Sequence, residues 1–436
     1  MTGRKFVAPL QHLLKSSRRA QTTVLVTVGL VAILGISALA VDVGELWTTR
    51  HLMQTAADAG ALAGVDAITI GETTLDEITT AADAATAQNG FTNDSGTAVN
   101  PSTVTVTVVN PPTSGPYANN TNAVQVTVAQ VQPTFFMRVL GWKSVPVSTQ
   151  ATALTTSGGS CVYALNPEDS GTISLSGNGT ITSNCGVYDN SNSSSALIAS
   201  GTSSMTAPLV GVVGGTTYNG GGSTPPTSGI AAFGDPLAWE QEPTGYSCSS
   251  FPGTKLNSST PVTLSPGTYC GGIDITSSYA NVTFDPGLYI IDGGGLTISG
   301  GAVSGSGVTF YLTGTNGNGA SKQNYGGVTI NGGATVNLSA PCSSDNGSIE
   351  GMLFFQDRSI TATSNNASVI NGGSNSTFTG ALYFPTTSLT YNGTSGADQY
   401  TYLVADWLTI SGTTTIGNNY SCLANGNIIK DAALVD

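Results

Sequence analysis

From Ala20 to Val41 the chain carries 22 consecutive residues without a charge, most of them Val, Leu, Ile or Ala. About 20 apolar residues in a helix cross the hydrocarbon layer of a bilayer. Five of the 12 basic residues (Arg4, Lys5, Lys15, Arg18 and Arg19) precede this run. Positive charge holds the short flank of a span in the cytoplasm. The expectation is a basic cytoplasmic tail over 1–21 and a transmembrane helix over 22–41, with the bulk of the chain outside the inner membrane. A cleaved signal peptide competes with this reading, because Ala38-Leu39-Ala40 has the small-x-small form of a cleavage site. The run is longer than the usual signal core of about 7–15 residues.

All six cysteines (Cys161, Cys185, Cys248, Cys270, Cys342 and Cys422) follow the span. An even number in an exported segment reads as disulfides. Pairing neighbours gives Cys161–Cys185 and Cys248–Cys270, which leaves Cys342–Cys422, among the fifteen arrangements open to six cysteines. A formal net charge of −13 argues against nucleic acid as a partner. The only histidines are His12 and His51, which removes most histidine-based catalysis and metal ligation.

Beyond the span, Leu46, Met53, Ala57, Gly60, Ala61 and Gly64 recur at helical spacing without an intervening proline, so the helix continues. Its small residues form a stripe that serves either another protomer or packing within its own domain. A second helix is predicted over Leu75–Gln88, ended by Asn89-Gly90. The period then becomes two: Val104, Val106 and Val108, next Val124, Val126 and Val128, and a third strand around Val145–Ala151. A long helix followed by a small antiparallel sheet makes 42–155 a pilin-like α/β domain, with a linker over 156–160.

From Cys161 onward the sequence holds 43 of the 56 glycines. Apolar triplets such as Leu296-Thr-Ile298, Val308-Thr-Phe310 and Val328-Thr-Ile330 alternate with Gly/Asn/Ser turns. Leu296-Thr-Ile-Ser-Gly-Gly-Ala302 returns as Val328-Thr-Ile-Asn-Gly-Gly-Ala334. Repeats built on tiny strands point to a solenoid. The fold class is therefore α+β then all-β, ending in a glycine-rich parallel β-helix-like domain over 161–436, with a β-sandwich as the competing architecture.

The stretch around the membrane boundary carries a more specific pattern: Ala40-Val-Asp-Val-Gly44, Arg50, and Gln54-Thr-Ala-Ala-Asp-Ala-Gly-Ala-Leu-Ala63. It resembles the N-terminal region of TadE/TadG-like Flp (Tad) pilus assembly proteins, over about the first 155 residues. Asp42, Gly44, Arg50, Gln54, Ala57 and Asp58 match the family's positions. Ala20-Gln21 and Leu25 depart from processed pilins, which carry Gly before the cleavage point and Glu five residues into the helix; this argues against prepilin-peptidase processing. Asp189-Asn-Ser-Asn-Ser193 has the letters of the metal run found in some relatives with a von Willebrand A domain, but its Asn/Ser-rich setting reads as a loop. At the boundary, Asp42 reads as a hydrated carboxylate that stops the helix sliding inward. Trp47 and Arg50 read as interfacial anchors.

Parallel β-helices also host polysaccharide-cleaving enzymes, whose minimal equipment is a pair of carboxylates. Asp274, Asp285, Asp292, Asp345, Glu350, Asp357 and Asp406 are candidates, with Arg358 as a charge stabiliser. Asp285 and Asp292 sit in turn sequences that explain them. Gly220–Gly222 and Gly293–Gly295 lack the Gly-Lys-Ser/Thr ending of a phosphate loop. The reading is a non-catalytic protein with no cofactor and no metal: a minor pilin-like component or assembly factor of an Flp/Tad-type pilus. Its expected partners are the lipid bilayer, pilin or pilus-assembly proteins met through the N-terminal helix, and a carbohydrate or surface ligand of the β domain. The alternatives are an anchored carbohydrate-active β-helix enzyme, in which Asp357 and a second carboxylate converge in a groove, and a secreted adhesin released after Ala40.

Overall fold

The computed structural model describes residues 11–69, 74–94, 103–219, 221, 224–250, 252–314, 324–344, 347–361, 367–373, 375–392, 399–424 and 426–435. Arg4, Lys5, Gly220, Gly222 and Asp345, singled out above, lie outside them. The chain divides into two units, Met1–Thr155 with Ala432–Asp436, and Thr156–Asp431.

The first unit is organised by α1, Gln11–Thr69, 59 residues without a break. Among its described side chains none from Thr22 to Val41 is buried, so this half stays uncovered by protein and is long and apolar enough to cross a membrane. From Asp42 the same helix changes role. Met53, Ala56, Ala57, Ala61 and Val65 are buried at the three- and four-residue spacing of a packed face. The small-residue stripe belongs to this packing, which settles the choice left open between a protomer contact and its own domain. A Cβ on Gly60 would come within 2.7 Å of the Thr86 Cγ2, and one on Gly64 within 2.8 Å of the Val124 Cγ1. Helix α2, Leu75–Gln88, crosses there with Ile78, Ala82 and Thr86 buried. It starts at a capping box, in which Glu77 N donates to Thr74 Oγ1 at 3.3 Å and Thr74 N donates to Glu77 Oε2 at 3.1 Å.

Against the helices lies an antiparallel sheet of β1 (Val104–Val109), β2 (Ala123–Pro133) and β3 (Ser144–Ser157). Val124, Val126 and Val128 turn to the helices, as their period of two requires. A fourth strand, Lys430–Leu434, extends this sheet beside β3, and Val435 N donates to Thr152 O at 2.9 Å. Lys-Asp-Ala-Ala-Leu has no apolar alternation, so nothing in the sequence marked it as a strand. The last residues therefore leave the β-rich unit to which 161–436 was assigned. Residues 156–160 are also more strand than linker, because β3 runs to Ser157 and the next strand starts at Ser160.

The second unit consists mostly of short parallel strands, and over Thr254–Ser339 each pairs with the third one after it. Thr254–Leu256, Ile273–Ile275, Leu296–Ile298, Val328–Ile330 and Ser368–Ile370 make one ladder. Gly267–Cys270, Gly287–Asp292, Val308–Thr313 and Met352–Gln356 make a second. Val262–Leu264, Asn281–Phe284, Gly301–Ser306 and Ala334–Ser339 make a third. The in-register stacking aligns like side chains. Tyr289, Phe310 and Phe354, register partners in the second ladder, follow one another with ring centroids 5.3 and 5.5 Å apart, and Phe284 and Phe384 pack on this column from other register positions at 5.0 and 6.4 Å. At the turns successive backbones approach so closely that only glycine fits. A Cβ on Gly294 would lie 2.2 Å from Gly271 O, and one on Gly295 2.3 Å from Gly327 O, and both residues have positive φ.

The rungs do not follow chain order. Thr401–Ile410 pairs on one side with Thr377–Tyr391 and on the other with Ser160–Ala164, the first strand of the unit. The stack then continues through Gly186–Asp189 to Val210–Val212. The chain thus begins inside the stack, builds to one end, and must return to the far end to start Thr254–Leu256. Residues 229–250 make that return along the ladder column Tyr188, Tyr163, Val404, Tyr383, Phe355, Tyr311, Ile290, Thr268. Phe233 packs on Tyr188 and Tyr163, Tyr246 on Tyr311, and Cys248 is bonded to Cys270. Seven rungs at about 4.8 Å make about 34 Å between Phe233 and Cys248, roughly 2.3 Å per residue or about two-thirds of full extension, which leaves room in this strap for the turn closed by Ala238 N to Asp235 O and Glu240 N to Leu237 O. The other disulfides are Cys161–Cys185 and Cys342–Cys422.

Candidate functional site

Three places concentrate polar chemistry. The first is the membrane-proximal end of the first unit. Asp42 directly follows the apolar run on α1, and it is 2% exposed rather than hydrated. Its carboxylate accepts from Phe135 N at 3.0 Å, Phe136 N at 2.8 Å and Met137 N at 2.5 Å. These N–H groups open the 3-10 turn Met137–Leu140 in the β2–β3 loop. A carboxylate is favoured at such an end because the first N–H groups of a helical turn have no partner within it. Burial alone raises the Asp42 pKa, but the three backbone donors outweigh it and hold the carboxyl below its ordinary range. The loop is closed on itself: Thr134 N donates to Lys143 O at 3.1 Å, Trp142 N to Met137 O at 3.1 Å, and Thr134 Oγ1 to Trp142 O. The expectation of a solvated Asp42 is corrected because its partners lie 93 to 95 residues away, beyond any local reading.

Further along α1 the matched positions line up against β3. Gln54 Nε2 donates to Asp58 Oδ1 at 2.8 Å and to Gln150 O at 3.1 Å, which fixes helix to sheet. Ala57 is buried. Leu46, Trp47 and Arg50 face Val145 and Val147 across an open groove. Gly44 is exposed with open space where a Cβ would stand, so packing within this chain does not require glycine there.

An Asn at 42 offers two donors where three N–H groups converge. Asp42→Asn is expected to free the 134–143 loop and to speed tryptic cleavage after Arg138 and Lys143 several-fold in detergent-solubilised protein, with the β unit's fragments unchanged. Because the folded pKa is depressed, the aspartate's contribution is complete above about pH 4 and is lost as pH falls through the folded value.

The second place is Arg358, in the strap-bearing face of the β unit. Its Nε donates to Tyr383 Oη at 2.7 Å, Nη2 to Leu237 O at 2.7 Å and Nη1 to Glu240 O at 3.0 Å. The Arg358 backbone N donates to Glu242 Oε1 at 2.7 Å. The guanidinium lies 5.0 Å from the Phe355 ring centre and 5.2 Å from that of Tyr383. Tyr383 Oη in turn donates to Asp235 Oδ2 at 2.5 Å. Arg358 therefore clamps the strap to the ladder.

The neighbouring Asp357 is buried, and its carboxylate accepts from Thr313 Oγ1 at 2.7 Å and from Ser359 N at 2.9 Å. Asp292 is paired with that same Thr313 in the ladder. Asp274 sits between Lys255 and Thr297, Asp285 accepts from Ser265 Oγ at 3.4 Å, and Asp406 is half-buried with its carboxyl pushed up by burial. Glu350 is buried elsewhere in the core layer. Asp189, first of the Asp-x-Ser-x-Ser run, accepts from Thr172 Oγ1 at 2.6 Å and from Ser191 N at 3.1 Å, forming a buried turn.

Losing the clamp leaves two carbonyls and a tyrosine hydroxyl short of a charged donor. Arg358→Met is expected to cost about 3 kcal/mol, seen as a fall of roughly 6 °C or more in the Tm of the β unit. Arg358→Lys recovers little of this, since an ammonium cannot fork between three acceptors. In the strap beside it, burial pushes the Glu240 carboxyl up to about 7, with Arg358 opposing and Glu350 adding to the rise. The folded state then holds a proton that the unfolded chain releases near 4.5. Stability falls as pH rises from there to about 7, and Glu240→Gln should flatten that slope in denaturation series between pH 5 and 8.

The third place is a shallow groove of about 490 Å³ over the third ladder, edged by Thr283, Ser304, Ser306, Asn337, Thr377 and Gln399. Its hydroxyls and amides bridge rung to rung, as in Thr377 Oγ1 donating to Asn337 Oδ1 at 2.9 Å. Among the described residues no group of three or more His, Cys, Asp or Glu is placed to hold a metal ion.

These features define a protein class by structure: one N-terminal helix, apolar and uncovered over its first half, docked over its second half on a small antiparallel sheet, with a large unit of parallel β-strands following in the chain. Residues 20–67 match the family model described as Flp pilus-assembly TadE/G-like, and residues 54–153 match that described as Tad-like Flp pilus-assembly. The resemblance to Tad-like Flp pilus-assembly proteins accordingly spans residues 20–153, and the Thr156–Asp431 unit lies outside both matches. No curated protein and no solved structure matches the chain.

Proposed function

We propose that the protein is a non-catalytic, membrane-anchored component of Flp/Tad pilus assembly, acting as a minor pilin-like subunit or an assembly factor. The observation that carries this reading is the division of α1. Its first half is apolar and uncovered, its second half is committed to its own sheet, and the Tad matches span both. The basic N-terminus lies in the cytoplasm, and the chain from Asp42 onward, including the whole second unit, lies outside the inner membrane. Contacts with pilin or other assembly helices use the uncovered apolar half, since Gly60 and Gly64 are filled by Thr86 and Val124. The second unit is a parallel β-helix with its rungs in permuted order, a reading supported by the three ladders in which a strand pairs with the third after it. It presents the hydroxyl- and amide-edged groove as a weak contact surface for carbohydrate or protein, suited to adhesion or assembly. Asp357 and Arg358 are occupied by structural bonds, so the carboxylate pair of a polysaccharide-cleaving enzyme is not assembled around them.

Fractionation of cells carrying an N-terminally tagged chain tests the reading. Full-length protein in the inner membrane, required for filament formation, is the result expected of an assembly factor. Recovery in sheared filaments marks a minor pilin. Normal filaments in cells lacking the protein would overturn the assignment.

A further inference from the structure

The β2–β3 loop carries an apolar surface that no described residue of the first unit covers. Phe135, Phe136, Val139, Leu140 and Trp142 are all exposed, Val139 at 86% and Leu140 at 72%. The loop is held in one shape by its internal hydrogen bonds and by Gly141 at φ 98°, so the exposure belongs to a built surface. Its position is equally defined. Along β3 and α1 the contacts descend together, from Gln54 on Gln150, through Leu46 to Arg50 beside Val145 to Ser148, to Asp42 beneath Phe135, Phe136 and Met137. The sheet thus ends level with the end of the apolar run, and the loop is tied to the first charged residue beyond it. The flanking charge fits the same place. Between 42 and 155 the basic residues are Arg50, Arg138 and Lys143, two of them within this loop, in a region with nine Asp and Glu.

We propose that residues 134–143 form a second membrane-contacting element, dipping its five apolar side chains into the outer leaflet beside the span, with Arg138 and Lys143 on anionic lipid headgroups. Large apolar and aromatic side chains with adjacent basic residues are favoured at that depth. The 3-10 turn and the Asp42 bonds satisfy the loop's polar backbone, as entry toward hydrocarbon demands. The element would fix the tilt and rotation of the first unit on the bilayer, which a single helix alone leaves free. The inference rests on the anchored reading of α1.

The test uses the full chain in vesicles of phosphatidylethanolamine and phosphatidylglycerol with brominated acyl chains as fluorescence quenchers. Trp47 and Trp142 are the two tryptophans of the boundary region, so Trp142→Phe should remove about half of the lipid-quenchable emission. Val139→Trp added to that variant should restore it, because Val139 stands free on the same surface. Unchanged lipid quenching in Trp142→Phe, together with quenching of Trp142 by aqueous iodide, would overturn the proposal while leaving the anchor intact. Shielding of Trp142 from both quenchers would place protein on the surface and overturn it as well. Failure of the wild-type chain to float with the vesicles would overturn the anchor and the loop's role together.

Discussion

Replacing Leu30 and Leu34 with arginine should empty the membrane fraction of this protein. Each arginine near the centre of a span costs about 2.5–3.5 kcal/mol, whereas each Val, Leu or Ile contributes only about 0.3–0.6 kcal/mol. Two substitutions one turn apart therefore offset roughly the whole favourable insertion energy of the run. Leu30 and Leu34 are exposed, so neither change disturbs packing in the first unit. The readout is the share of full-length chain that stays in the pellet after a carbonate wash. Retention equal to wild type would mean that α1 does not cross the bilayer, and that the basic tail has no bearing on topology. A matched pair, Leu30→Ile with Leu34→Ile, should leave retention unchanged, since it keeps apolar volume.

Phe354→Ala should be the most damaging single change in the β unit. Its ring is fully buried between Phe310 and Phe384, in a ladder column that continues to Tyr289, with Phe284 packed edge-on against Phe310. A buried phenylalanine cut to alanine costs about 3–5 kcal/mol, from lost transfer energy and from the void left behind. Neighbouring rungs cannot collapse to fill that void, because the parallel ladders fix their spacing at about 4.8 Å. Thermal unfolding should show a fall of roughly 8 °C or more. A change below about 1 kcal/mol would show that the aromatic column is not what holds the rungs together. Phe135→Ala makes the contrast: the same chemistry on a side chain 68% exposed should leave the soluble stability within about 0.5 kcal/mol.

Both expectations depend on features of very different legibility. The apolar run, the helix over Leu75–Gln88 and the valine alternations of β1 and β2 appear in the structure where their local patterns place them. Each of these signals is complete within about ten to twenty residues, the range over which hydrophobic period and capping act. The small-residue stripe was equally legible as a stripe, but its occupant was not, because Thr86 and Val124 reach it from elements read separately.

The sequence alone determined the anchor-length helix, its basic flank, the position of all six cysteines beyond it, the turn from helix to strand near 104 and the glycine-rich β character beyond 161. The tertiary structure alone decided that Asp42 is a capping residue, that Lys430–Leu434 returns to the first sheet, and that 401–410 stacks on 160–164 with the strap crossing between. The physical reason is the cost of closing loops. It grows only with the logarithm of length, by about 0.6 kcal/mol per doubling, so a partner some 240 residues away is hardly dearer than one 60 away. What selects among such partners is the apolar surface that each pairing buries, and that surface exists only once the distant segments have met.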